Sequence, residues 1–448
     1  MALQTKLMDL RSTTKSLFLE TLEHLSISNI METRARCAGQ ILHLGNLSYD
    51  LNAIHRIVII AIGKAAVPMC DGLLAILGPA LRADQSIRAV VVGSTRPKSI
   101  DPRIKFFSGS HPFPNEISYA AADVILELLR SVDEQCFVLF LISGGASAMI
   151  EKPLDSSVSV KEAAELYRAL VQSGLPIATI NVLRKHFSRV KGGRLAIASQ
   201  RATQCTVLLS DVPENLLHII GSGPSLPDPS TVDDCRRIVS ENQSVLNLSQ
   251  KMLAFFQSSA LEETPKADHP AFKKSSSLVL LSSSDLHRAA AELGAGLGFH
   301  VVVDNECDDW NYRDAARYLL GRLRELRRTH NRVCLLSTGE VSVQLPIGHG
   351  IGGRNQQFAL YSSSLLAGSG MRTAILSAGS DGIDGNSSAA GAICDETTIA
   401  RAMALGIDPE AELKRFNSFA VFDALGDTVI TGPSGNNIRD LRIFLSEA

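Results

Sequence analysis

Residues Arg56–Leu77 read "RIVIIAIGKAAVPMCDGLLAIL". The first seven are almost continuously apolar and β-branched, the pattern of a strand covered on both faces rather than on one. Gly63 and Lys64 then interrupt the run, and an apolar, helix-like segment follows. The same order recurs down the chain: "CFVLFLISGGASAMIE" from Cys136, "CTVLLSDVPENLLHIIGSGPSLPD" from Cys205, "SLVLLSSSDLHRAAAELGAGLGFHVVV" from Ser277 and "TAILSAGSDGIDGNSSAAGAICD" from Thr373. Strands alternating with helices through Gly-, Ser- and Asp-rich turns argue for α/β layers. In open α/β sheets ligands gather beyond the carboxyl ends of the strands, so the turns are where chemistry is to be sought.

At 448 residues the chain is too long for one ordinary core. The polar, Pro- and Lys-bearing stretch "SALEETPKADHPAFKKSSS" (Ser259–Ser277) lacks an apolar period and reads as a linker. The expected division is therefore a domain over 1–260, a linker over 261–276 and a second domain over 277–448. With 44 basic and 46 acidic side chains, the net charge of -2 gives no bulk attraction for nucleic acid or an anionic membrane. The apolar runs are strand length, too short to span a bilayer. The eight cysteines form no C-x-x-C pair and several sit in apolar runs, which suits buried thiols in a reducing, cytoplasmic setting. The start, "MALQTKLMDLRSTTKSLFLE", leaves a mitochondrial presequence as the alternative. Oligomeric state is open, a homodimer included.

Each turn offers a chemical reading and a bland one. Lys64 is a point charge suited to phosphate or carboxylate, or a surface lysine after a tight turn. Ser143, Gly144, Gly145 and Ser147 lie between strand and helix, where glycines let an anion approach backbone N–H groups; a plain turn with a capping serine is the alternative. "NVLRKHFSRVKGGRLA" carries Arg184, Lys185, His186, Arg189, Lys191 and Arg194; Lys191 is a candidate phosphate ligand, and a solvated basic face is the usual meaning of such a run. Asp211, at a strand end, can hold Mg²⁺, accept a hydroxyl proton or make an Asx turn. Asp381 and Asp384 lie in a Gly-rich loop able to wrap an ion, without calcium-loop spacing.

Gly348, Gly350 and Gly353 fit G-x-G-x-x-G, the dinucleotide fingerprint. That motif belongs on the first strand-to-helix turn, with an acidic residue about 20 positions on. Here Pro346 precedes the glycines, "VSVQL" reads as a half-buried hairpin strand, and Arg372-Thr373 falls where the acid should be. The better reading is a Gly-rich segment, including Gly352 and Gly353, that delivers Arg354 to phosphate.

Taken together, "AIGKAA", "GSHPFPNEIS", "LISGGASAM", "VLRKHFSRVKGGRLA", "LLSDVPENLLHIIGSGP", "GIGGRNQQFAL", "AGSDGIDG" and "TGPSGNNIRDL" resemble the class II glycerate kinases over nearly the whole chain. The resemblance implies a large N-terminal Rossmann-like doubly wound domain, a smaller C-terminal α/β domain of MOFRL type, and an active site in the cleft between them. It implies phosphorylation of D-glycerate by ATP with Mg²⁺, giving 2-phosphoglycerate, with Lys64, Asp211 and Arg354 catalytic. Thr338-Gly339-Glu340 and Val341-Ser342 depart from the family's glycine and threonine pairs. Relatives have been labelled hydroxypyruvate reductases, so an NAD(P)-dependent oxidoreductase is the alternative.

Overall fold

The computed structural model describes residues 9–97, 101–212, 214–259 and 261–448. The chain separates into two compact units, Ile30–Leu280 and Met1–Asn29 joined with Leu281–Ala448.

The first unit opens with a small antiparallel sheet, β1 (Ala35–Ala38), β2 (Ile41–Leu44) and β3 (Leu47–Asp50). Its main sheet has six strands: β4 (Arg56–Ile62), β5 (Ser86–Gly93), β6 (Ile104–Ser108), β7 (Cys136–Ile142), β8 (Thr203–Leu209) and β9 (Ser275–Leu281). Their order across the sheet is β6-β5-β4-β7-β8-β9, and β4 to β8 pair in parallel. All seven residues of β7 are buried, as the unbroken apolar run requires. Val58, Ile60 and Ile62 of β4 join Val138, Phe140 and Ile142 of β7 in one core with Ala121, Ile125 and Leu129 of the helix Glu116–Arg130. Burying each large side chain contributes about 1.5–3 kcal/mol. The chain runs from β4 outward one way and from β7 outward the other, so the topological switch point lies between β4 and β7.

In the second unit β10 (His300–Val303), β11 (Arg332–Thr338), β12 (Arg372–Gly379), β13 (Gly391–Asp395), β14 (Thr428–Val429) and β15 (Asp440–Glu447) form a mixed sheet in the order β10-β11-β15-β12-β13-β14. β15 pairs antiparallel with both β11 and β12, so the chain's last strand sits mid-sheet. Among the described residues no helix is long and apolar enough to cross a membrane. The cysteines are free, and all but Cys37 are buried.

Four sequence expectations are corrected. The unit boundaries are not at 261–276: Leu10–His24 belongs with the C-terminal sheet, where Arg11 bonds Asp395 at 2.7 Å and also pairs with Asp427. The supposed linker is folded into the first unit. Asp228 N–H donates to the Pro265 carbonyl at 3.0 Å, Thr264 is buried, and Ser275 onward is strand. Polar composition misled because these residues satisfy each other's hydrogen bonds instead of water's. "VSVQL" is no hairpin strand; only Ser342 makes an isolated bridge, to Asn311. The last apolar run leads through its loop to an antiparallel partner, β13, and not to a helix.

Candidate active site

The two turns at the switch point are built into one another. Lys64 N–H donates to the Gly144 carbonyl at 3.0 Å, and Ala65 N–H to Ser143 Oγ at 3.0 Å. Gly63 has φ +124°, and a Cβ there would lie 2.3 Å from Ser143 Oγ, so only glycine fits. Ser143, 1% exposed, therefore ties the turns together. Gly145 has φ +87° and starts the short helix Ala146–Met149; a Cβ on it would touch Lys64 Cγ at 3.5 Å and His111 Cδ2 at 3.6 Å. Lys64, His111 and the glycine turn thus converge. His111 has its pKa held below the usual value by desolvation, then by the charges of Lys64 and Arg184. Ser147 Oγ meets Ser222 Oγ at 2.7 Å, and Ser222 donates to Asn181 Oδ1 at 2.8 Å. Asp211 stands two residues beyond β8, partly exposed.

The basic run is buried, the opposite of a solvated face. Arg184, Lys185, His186, Lys191 and Arg194 are each 9% exposed or less. The run lies on the helix Ile177–Phe187 and on the Gly192-Gly193 turn that follows, both glycines having positive φ. Lys185 pairs with Asp228 and Lys191 with Glu151, each at 2.8 Å. Lys191, expected to bind phosphate, also donates to the Ile150 carbonyl at 2.8 Å and is fully buried. Its ammonium is consumed inside the fold. Lys191→Met is expected to destabilise the protein by about 3–5 kcal/mol, because Glu151 is left as an uncompensated buried charge. Urea unfolding checks this; unaltered stability with a raised KM for ATP would return Lys191 to the phosphate.

Gly350 and Gly353 of the G-x-G-x-x-G motif, and Gly352 between them, serve the protein's own packing, whereas Gly348 has positive φ and open space beside it. A Cβ on Gly350 would lie 2.4 Å from Asn417, on Gly352 2.5 Å from Ser418 Oγ, and on Gly353 2.2 Å from Asp384 Oδ1. Gly352 N–H donates to Asn386 Oδ1 at 2.9 Å. The helix Arg354–Leu366, where a pyrophosphate would dock, is already capped by Asp384. That carboxylate accepts from Asn355 N–H at 3.0 Å and Gln356 N–H at 2.9 Å. Gln356 Nε2 adds a third bond at 2.9 Å. Gly352 and Gly353, foreseen at a phosphate, and Asp384, foreseen at a metal, thus have these contacts within the fold: the glycines pack closely and the Asp384 oxygens accept three N–H donors. Burial pushes the Asp384 carboxyl up to about 6, against the pull of the amide donors. The folded state then holds this proton more tightly than the unfolded chain. Stability from this group falls as pH rises from about 4 to 6, by on the order of 2–3 kcal/mol. Asp384→Asn, which keeps an acceptor oxygen, should flatten that slope in melting temperatures measured across the range; an unchanged slope would contradict the assignment.

Arg354 opens that helix. Nε and Nη2 grip Asp440 at 2.6 and 3.1 Å, and Nη1 bonds Glu340 at 2.7 Å. Burial, partly offset by Arg354, holds the Glu340 carboxyl above its ordinary range. Most of the guanidinium is thus engaged in joining the end of β11 to the start of β15. Asp381 accepts from Ile383 N–H at 3.1 Å. Among the described residues no three His, Cys, Asp or Glu side chains are grouped to hold a metal.

His111, Asn181, Arg184 and Ser222 escaped the sequence reading as site residues. Their signals were present in "GSHPFPNEIS", "NVLRKH" and "IIGSGP", but nothing in the sequence says that these segments meet.

A doubly wound sheet with a lysine and a glycine turn at its switch point defines an α/β protein of the class whose ligands bind beyond the strand ends. The comparisons with known proteins specify which. Residues 13–257 match a domain family described as of unknown function, DUF4147, and residues 333–440 match the MOFRL family. A D-glycerate 2-kinase of Thermotoga maritima is 35% identical over 408 residues, covering 88% of this chain and 91% of that protein. A protein of Agrobacterium vitis provisionally named a hydroxypyruvate reductase is 34% identical, covering 87% of this chain and 99% of its own. The crystal structure of glycerate kinase from Thermotoga maritima superposes with a TM-score of 0.83 at 30% identity, covering 98% of this chain and 99% of that one. The chain belongs to the glycerate 2-kinase family.

Proposed function

We propose that the chain transfers the γ-phosphoryl group of ATP to the 2-hydroxyl of D-glycerate, giving 2-phosphoglycerate and ADP. The observation that carries this reading is the convergence of Lys64, His111 and the Gly144–Gly145 turn at the switch point of the sheet, in a chain that matches a D-glycerate 2-kinase along most of its length. Phosphoryl transfer asks little covalent chemistry of a protein. It needs cations placed on the transferring group and an oriented hydroxyl. Lys64 supplies the charge. Asp211, beyond the neighbouring strand β8, accepts the proton as the hydroxyl oxygen bonds to phosphorus and the bridging oxygen leaves with ADP. Arg354, catalytic by the resemblance, has its guanidinium held by Asp440 and Glu340. Mg²⁺ binds largely through substrate phosphates with one or two carboxylates. Asp211, partly exposed at a strand end, fits that need better than Asp384, which is buried and bonded to Asn355 and Gln356.

The reductase alternative requires a nicotinamide dinucleotide, and in the glycine motif suited to it Gly350 is packed on Asn417 and Gly353 on Asp384. A thermal shift series separates the two. At a concentration of 100 times the dissociation constant, a ligand stabilises the folded state by roughly 2.7 kcal/mol. ATP with Mg²⁺ is expected to raise the melting temperature by several degrees, and NADH or NADPH to leave it unmoved. A rise with a nicotinamide cofactor alone would overturn the kinase reading.

A further inference from the structure

The buried basic cluster does not balance its charge. Glu151 and Asp228 are its buried acids, and each already holds a lysine at 2.8 Å. Glu151 also accepts the Tyr167 hydroxyl. Arg194 donates to the Lys185 carbonyl at 2.9 Å. Arg184 has no such arrangement. It is 6% exposed, its Nε has no hydrogen-bond partner, and among the described residues no ion pair joins its guanidinium. What it has is the face of the Tyr167 ring, 4.7 Å away. A flat cation on an aromatic face keeps its in-plane N–H groups free for a planar anion. Burying a charge without a partner is costly, and such a group persists where a ligand completes it.

Its position says where that ligand lies. Arg184 is one turn of the helix Ile177–Phe187 beyond Asn181, so both project from one face. Asn181 is linked through Ser222 to Ser147, in the turn that packs on Lys64 and His111. Tyr167, under the guanidinium, has its hydroxyl oxygen 3.2 Å from the Ser147 carbonyl. Helix, tyrosine and glycine turn therefore address one place.

We propose that Arg184 binds the carboxylate of the hydroxy-acid substrate, fixing the acid end while Lys64 meets the transferring phosphate. This rests on the kinase reading above. A single guanidinium of so little exposure suits a single planar carboxylate, which matches its fork with two parallel hydrogen bonds; a triphosphate would bring more charge and bulk than a 6% exposed group can meet. The reading makes Arg184 the residue that separates a hydroxy acid from the corresponding neutral alcohol.

The test compares wild type with Arg184→Gln and Arg184→Lys, measuring KM for D-glycerate and for ATP and, without ligand, the melting temperature. Arg184→Gln is expected to raise the KM for D-glycerate roughly 10- to 100-fold, the scale of a charge-assisted hydrogen bond, and to shift the KM for ATP by less than about threefold. Arg184→Lys should recover part of the loss. The preference for D-glycerate over its uncharged amide should fall with the same variant. Without ligand Arg184→Gln should melt no lower than wild type, since it removes an uncompensated charge. An unaltered KM for D-glycerate, or a change confined to ATP, overturns the proposal. So does a lower melting temperature with unchanged kinetic constants, which marks the arginine as structural. Should wild type not phosphorylate D-glycerate at all, the kinase reading fails separately. Calorimetric titration with D-glycerate and with D-lactate then decides: binding by wild type that Arg184→Gln lacks supports the site, and equal or absent binding refutes it.

Discussion

Lys64→Ala is expected to lower kcat by about two to four decades, the scale of removing one charge from the transition state. The backbone of residue 64 is held independently of its side chain, through its N–H on the Gly144 carbonyl and through Ser143 Oγ on the next amide. The side chain itself is only partly buried. Its loss therefore leaves the turn in place, and the effect on stability should be small beside the effect on kcat. Such a clean separation is diagnostic. A fall in kcat with little change in either KM means that the ammonium acts chiefly as charge develops; a raised KM for ATP with kcat kept would mean uniform binding of the nucleotide. Turnover within threefold of wild type, in a protein with an unaltered melting temperature, would remove Lys64 from the mechanism.

Asp211→Asn is expected to cost about two to four decades in kcat, as loss of a positioned general base does. The substitution keeps shape and hydrogen-bonding capacity but removes the ability to take the substrate's proton. β8, which ends two residues before it, lies beside β7 in parallel register from Phe137 opposite Thr203 to Ile142 opposite Leu208, so its end is fixed by the sheet. Lys64 and Asp211 are thus supplied by strand ends of one parallel sheet. The check is kcat at saturating ATP and D-glycerate for the variant. A drop that extra Mg²⁺ restores would assign Asp211 to the metal, and an undiminished rate would exclude it from both roles.

What the sequence disclosed, and what it hid, follows from the range of the interactions involved. The unbroken apolar runs at Ile57–Ile62 and Cys136–Ile142 announced doubly covered parallel strands because every residue in them is buried. The glycine turns after them were legible because Gly63 and Gly145 need positive φ. By contrast, the run from Arg184 to Arg194 looks the same on paper whether solvated or buried; only Glu151 and Asp228, 40 and 43 residues from the lysines they pair with, decide it. The Gly348–Gly353 segment likewise cannot be read locally, since Asn417 and Asp384, which occupy the space beside its glycines, come from distant parts of the chain. The helix Leu10–His24 gives no local sign that it joins a sheet beginning nearly 300 residues later. Local propensity and turn chemistry survive translation into structure; charge pairing and strand order, which depend on remote partners, do not.

The most direct measurement is a single assay run in parallel channels: purified protein with ATP, Mg²⁺ and D-glycerate, following ADP release together with phosphorus NMR of the product, and hydroxypyruvate with NADH or NADPH, following absorbance. The account predicts ADP release dependent on D-glycerate, a phosphate ester on O2, and no oxidation of either nicotinamide cofactor. Reduction of hydroxypyruvate without D-glycerate-dependent ADP release would contradict it.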